Sequence, residues 1–318
     1  MSMMKRYSAL IKRELVEHRR SVLYAAPIMA IVLFVLMLAG GIWNGIFQVN
    51  SQNFSAQALV AIIQKGGAPA LSLFHQGWMF GMYALFHGVA GIVMFSYSLS
   101  CLFDERKDRS TLFWRSLPVR DWETVAAKSF TLLVVIPLVY MLTLMLLQVL
   151  LIALLTVLCW FQRLDASDLI FSVMPFGRIQ LWQLASQLLT SLWVMPVFAW
   201  CLFCSSYAKQ RPFLFATLVP GALVAMLAVL NLKNLIGTFN GTGPAGLVSQ
   251  QVFYRALSVV RPDLGVNLNL KDGVQGGLEF GPLFNQLMSM PMLIGLIVGF
   301  GLLGATAYVR RYREDAAA

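Results

Sequence analysis

Charge is scarce in this sequence: Asp, Glu, Lys and Arg together make up only 12% of its 318 residues. A soluble globular domain carries about 25%. With 58% hydrophobic residues and a mean hydropathy of +0.72, the chain could not cover its surface with polar groups in water. A soluble domain is therefore excluded, and the bilayer is the solvent. Histidine occurs only as His18, His75 and His87, and cysteine only as Cys101, Cys159, Cys201 and Cys204. The cysteines lie in or at the ends of apolar runs, which excludes a disulfide framework. A membrane enzyme would need paired carboxylates, a histidine cluster or a nucleophile with its base on facing helices, and the apolar runs offer none of these. No G-x-x-x-x-G-K-[ST] loop occurs, so ATP binding by the usual route is excluded too. The first twenty residues are too charged for the apolar core of a cleavable leader, and none is expected.

What the sequence does have is long apolar runs. A membrane helix needs about 20 mostly apolar residues. Six stretches qualify: Ser21–Trp43, Trp78–Phe103, Ser129–Trp160, Trp182–Tyr207, Pro212–Leu232 and Gln286–Tyr308. None holds an Asp, Glu, Lys or Arg, so a proton- or sodium-coupled carrier would lack its usual coupling residue. His87 is the one histidine inside a run, where a helix-to-helix hydrogen bond is its ordinary use. The internal prolines Pro137, Pro196, Pro220 and Pro291 predict kinks. Cys201 and Cys204 form a C-x-x-C, which reads either as half a metal site or as two small apolar residues in a helix.

Basic residues set the orientation. With the N-terminus inside, 17 of the 24 Lys and Arg fall on the cytoplasmic side. Both termini are therefore expected in the cytoplasm. The net charge of +10 belongs against anionic lipid, and nucleic acid is not expected as a partner.

The fold class expected is an all-α integral membrane protein with two parts. Residues 1–20 form an amphipathic helix in the cytoplasmic interface, and 21–318 form a six-helix transmembrane domain. In the first part Met4, Tyr7, Leu10, Ile11 and Leu15 share one side, while Lys5, Arg6, Lys12, Arg13, Arg19 and Arg20 share the other. Glu14 is the exception, because it falls within the apolar arc. Outside, residues 44–77 read as a polar loop whose one charge is Lys65. Residues 233–285 read as a long external loop. There Leu247, Val248, Val252, Phe253, Leu257 and Val260 recur at helical spacing, predicting a short helix over the mouth of the bundle.

The loop 104–128 is the most informative stretch. It opens with charges of both signs, then brings Leu112, Phe113, Trp114 and Leu117 within two turns before Pro118 ends the helix. Asp121 is placed to cap the next helix. Exposed aromatics in a short charged loop suggest a docking surface. The run Asp-Glu-Arg…Leu-Phe…Ser-Leu-Pro-Val-Arg…Val-Ala-Ala-Lys resembles the corresponding loop of ABC-2 type permeases, the membrane subunits of one class of ABC exporters. The layout of interfacial helix, six spans, cytoplasmic termini and long external loop resembles that family as well.

The resemblance implies a coupling helix in which Ser110 to Leu117 insert into a cleft on a separate ATPase subunit. The associated residues are Asp104, Glu105, Arg106, Arg109, Ser110, Thr111, Leu112, Phe113, Trp114, Leu117 and Pro118. Tyr7, Ile11, Leu15, Arg19 and Arg20 stand for the interfacial helix. The chain itself would bind no cofactor, and ATP and Mg would belong to the partner. Two ATPase copies, a second permease (identical or related) and membrane lipids are the implied partners, in a bacterial inner membrane. Spans rich in aromatics, Met, Ser, Thr and Gln but without fixed charge suit a lipid, a hydrophobic peptide or a drug-like amphiphile. The other readings are a permease for copper or sulfur cargo, a secondary carrier, and a membrane scaffold.

Overall fold

A long apolar run can satisfy its backbone polar groups within its own segment in lipid only by forming a helix, and helices are what form. The computed structural model describes residues 3–43, 56–108, 120–161, 170–171, 176–230, 255–258 and 281–313. Among these there is no strand. In chain order the helices are α1 (Met3–Glu17), α2 (Ala25–Trp43), α3 (Ala56–Ser100), α4 (Phe103–Lys107), α5 (Asp121–Phe130) and α6 (Ile136–Phe161). Then follow α7 (Phe176–Trp193), α8 (Met195–Tyr207), α9 (Pro212–Leu230), α10 (Gly281–Leu287) and α11 (Met290–Arg313).

Among the described residues, four helical stretches are long and apolar enough to cross a membrane: Arg20–Ala39, His75–Lys107, Asp121–Phe161 and Met290–Tyr312. The bent pair α7 and α8 raises the number to five. Of the run expected at Pro212–Leu232, the stretch Pro212–Leu223 stands as a shorter apolar helix.

Of the prolines expected to kink helices, Pro196 lies at a bend and Pro137 follows a π turn, while Pro220 stands inside the unbroken helix α9. Pro196 is the second residue of α8, and the chain bends by 49° between α7 and α8. The Val197 amide donates to the Val194 carbonyl at 3.0 Å, three residues back. The Trp193 carbonyl thereby loses the helical donor it would otherwise have had. Pro137 has no N–H, and just before it the helix widens into a π turn over Thr131–Val135, with the Ile136 amide reaching the Thr131 carbonyl. A second π turn, Arg20–Tyr24, lies between α1 and α2.

Two expectations need correction. The stretch before Trp78 is not wholly a loop, because α3 begins at Ala56 and runs for 45 residues. Ala56 to Lys65 is rich in helix-favouring residues (Ala, Gln, Leu, Lys), and nothing in it forces a stop. The cap of α5 is Arg120, whose backbone is extended, with Asp121 already in the first turn. The Arg120 amide donates to Glu123 Oε2 at 3.2 Å, so Asp121 is free for another partner.

Burial differs from that of a soluble protein: an apolar core is enclosed, yet large apolar side chains also cover the outside. Ile28, Ile31 and Leu36 on α2 and Leu293, Ile294 and Ile297 on α11 are exposed, as lipid-facing side chains should be. Gln148, Gln183, Ser98, Thr131 and Thr306 are fully enclosed. Helices cannot associate by the hydrophobic effect in lipid, so close packing and interhelical hydrogen bonds must do it. Gln148 and Gln183 both donate to the Met79 carbonyl, at 3.2 and 3.4 Å, and Gln180 donates to Gln148. These bonds tie α3, α6 and α7. α11 packs most extensively on α8, where Gly299 admits Met195. A Cβ at Gly299 would stand 3.1 Å from the Met195 side chain.

Candidate functional site

At 100° per residue Glu14 projects from the apolar arc of α1, and a carboxylate there must find cations or pull its helix away from the protein. Its partner is Lys128, near the end of α5: Lys128 Nζ donates to Glu14 Oε1 at 2.8 Å, with both side chains almost fully enclosed. The Tyr97 hydroxyl, from α3, donates to Glu14 Oε2 at 2.8 Å. Lys128 Nζ also lies 3.2 Å from Glu105 Oε1 on α4.

Glu105 is the hub. Arg13 on α1 donates to its Oε1 at 2.7 Å, and Arg310 near the end of α11 approaches its Oε2 at 3.1 Å. That last contact brings the charges together without the alignment of a hydrogen bond. Arg310 Nε lies 3.5 Å from Asp121 Oδ1, so Asp121 pairs with the last helix rather than capping its own. Arg13 also reaches Glu17 one turn on, at 3.5 Å. Glu14, Glu17 and Glu105 gather close enough to hold a cation, and the cation lying between Glu14 and Glu105 is Lys128.

Arg106, beside Glu105, reaches the other way. Its Nη2 donates to the carbonyls of Ser205, at 2.5 Å, and Ala208, at 2.8 Å. These groups end α8, where backbone oxygens lack helical donors and a cation suits the helix dipole. Ser205 Oγ also accepts from the Phe103 amide at 3.0 Å. The segment 103–108 is thus fastened to α1, α5, α8 and α11 at once.

Of the residues singled out in the sequence, Asp104 is exposed, Glu105 is buried and Arg106 is half-buried. Glu105 and Arg106 are therefore internal anchors rather than part of an exposed docking face. Arg109, Ser110, Thr111, Leu112, Phe113, Trp114, Leu117 and Pro118 lie outside the described residues. On α1, Tyr7, Ile11 and Leu15 are half-buried, while Arg19 and Arg20 are exposed. The apolar face of α1 rests on α5, with the rings of Tyr7 and Trp122 6.1 Å apart. Cys201 and Cys204 are buried with Leu99 and Ala216, which is the packing that the apolar reading of the C-x-x-C describes.

His18 closes the edge of the junction, its ring edge-on to Tyr97 at 4.8 Å. Burial lowers its pKa from the usual value; Glu14, Glu17 and Asp104 oppose the shift, and Lys128 reinforces it. The unfolded chain therefore binds more protons than the folded one as pH falls below about 6.5. His18 contributes stability above that pH and loses it on acidification. Thermal unfolding in detergent should show the wild type losing more stability between neutral pH and pH 5.5 than His18→Gln does.

Two features escaped the sequence. Arg310 and Asp121 are 189 positions apart, and nothing local pairs them. The bundle also receives a guanidinium from outside its own spans, that of Arg255. Its Nη1 donates to the Trp193 carbonyl at 2.6 Å. Comparison with known protein families, with curated proteins and with solved structures finds no match to this chain.

Proposed function

We propose that this chain is the membrane half of an ATP-driven exporter of the ABC-2 type, with six spans, both termini in the cytoplasm and a separate ATPase docked on the 104–128 loop. The observation that carries the reading is the ionic junction. A docking loop can drive a membrane bundle only if force on it reaches the helices. Here the segment leading into that loop is bound through Glu105 to α1, α5 and α11, and through Arg106 to the end of α8. Buried ion pairs contribute little net stability over apolar packing of the same volume. Their retention favours a role in fixing one arrangement of helices against another. The absence of a nucleotide loop in this sequence assigns ATP and Mg to the partner.

The substrate class that suits apolar spans with buried amides is a lipid, a hydrophobic peptide or an amphiphile, exported from a bacterial inner membrane. A pair of such chains, or this chain with a related one, would line the path. Phe113→Ala and Trp114→Asp should leave the chain inserted but release the ATPase, measured by pull-down from membranes of the native host. Retention of the ATPase and of transport in both variants would place docking elsewhere.

A further inference from the structure

The break between α7 and α8 leaves the Trp193 carbonyl without its helical donor, and a side chain from the helical turn 255–258 supplies one. Arg255 Nη1 donates to Trp193 O and its Nη2 to Pro291 O at the start of α11. The guanidinium carbon lies 4.0 Å from the centre of the Trp193 ring, within cation–π range. The fourth wall is Gly295, where a Cβ would stand 2.3 Å from Arg255 Nη1. Two convergent carbonyls, an aromatic face and a missing side chain make a cage with the shape and polarity of a planar cation.

The same helical turn is held at its other end. His87 Nε2 lies 3.0 Å from the Ser258 carbonyl, and its Nδ1 is 2.9 Å from Gln187 Oε1. Beneath is a void of about 10 Å³ lined by His87, Gln187, Thr190, Ser191 and Ser258 among others, about the room one water needs. Pro291 and Arg310 are 19 residues apart on α11, roughly 28 Å of helix. The Arg255 contact and the ionic junction therefore hold opposite ends of one helix.

We propose that this cage is a guanidinium-binding site, that Arg255 fills it as an internal ligand, and that residues 255–258 form a lid which the cage and His87 hold shut over the polar interior. Binding of an external planar cation and closure of the lid are then alternatives. The inference does not depend on the permease reading.

The test uses the full-length chain in detergent or nanodiscs with Ser191→Cys as reporter, labelled by a polar methanethiosulfonate. Background is taken from the chain with only its native cysteines. Losing two charge-assisted hydrogen bonds should open the lid, so Arg255→Ala should speed labelling by about tenfold or more. Gly295→Ala should do the same with Arg255 intact, because its methyl group takes the guanidinium's place. Alanine also favours helix, so weakening of α11 could not be the cause. Methylguanidinium should raise the melting temperature of Arg255→Ala saturably, leave the wild type unchanged, and leave the lid open. Unchanged labelling in both variants would overturn the lid. A methylguanidinium effect equal in wild type and variant, or absent from both, would overturn the cage.

Discussion

Lys128→Met should be the most damaging single substitution at the junction, costing roughly 3–5 kcal/mol, the range for removing one partner of a buried ion pair. Lys128 is 1% exposed and is the cation shared by Glu14 and Glu105. Without it Glu105 keeps Arg13 and Arg310, but Glu14 is left with the Tyr97 hydroxyl against a fully ionic need. Methionine fills a similar volume, so the loss is electrostatic rather than a cavity. Following Lys128→Met with Glu14→Gln removes the stranded charge and should recover a large part of the stability. Thermal unfolding of the purified chain, monitored by the monodisperse fraction, reads both variants. A Lys128→Met protein as stable as wild type would mean that the junction is not closed in the membrane.

Arg310→Met should separate stability from transmission. Arg310 of α11 reaches Glu105 and Asp121, and Glu105 keeps Arg13 and Lys128 without it. The chain should therefore still insert, and an ATPase docked on the 104–128 loop as proposed should still bind and hydrolyse ATP. What fails is the link between the loop and the last helix. Coupling free energies between sites are typically 1–3 kcal/mol, so transport per ATP hydrolysed should fall by about tenfold. Detached ATPase would show that Arg310 shapes the docking face itself. Unchanged transport per ATP would show that the last helix is not driven through Glu105.

The apolar runs made the membrane body legible, because a stretch of about 20 apolar residues has one stable form in lipid. Pro196 announced the α7–α8 bend for a similarly local reason. The ionic junction was half legible. Glu14 broke the amphipathic pattern of α1, which is how a helix reveals an inward charge, and Lys128 ended the motif of the loop. Their meeting was not legible, since pairing across 114 positions depends on how helices pack and not on any window of sequence. Arg255 was hidden for a different reason. Counting charges within spans cannot find a cation that reaches the bundle from residues between them, and the helix break and Gly295 make room for it. The reach of α3 back to Ala56 was missed because polarity suggested a loop, whereas helix propensity there was adequate.

The most direct test of the central claim is composition. The chain, tagged and expressed at native level in its own host, should be purified under mild detergent and its partners quantified. A nucleotide-hydrolysing subunit lacking spans of its own should co-purify in equal stoichiometry with this chain, and its hydrolysis should stay with the complex through size exclusion. A monodisperse preparation of this chain, with the ionic junction intact and no such subunit, would contradict the central claim.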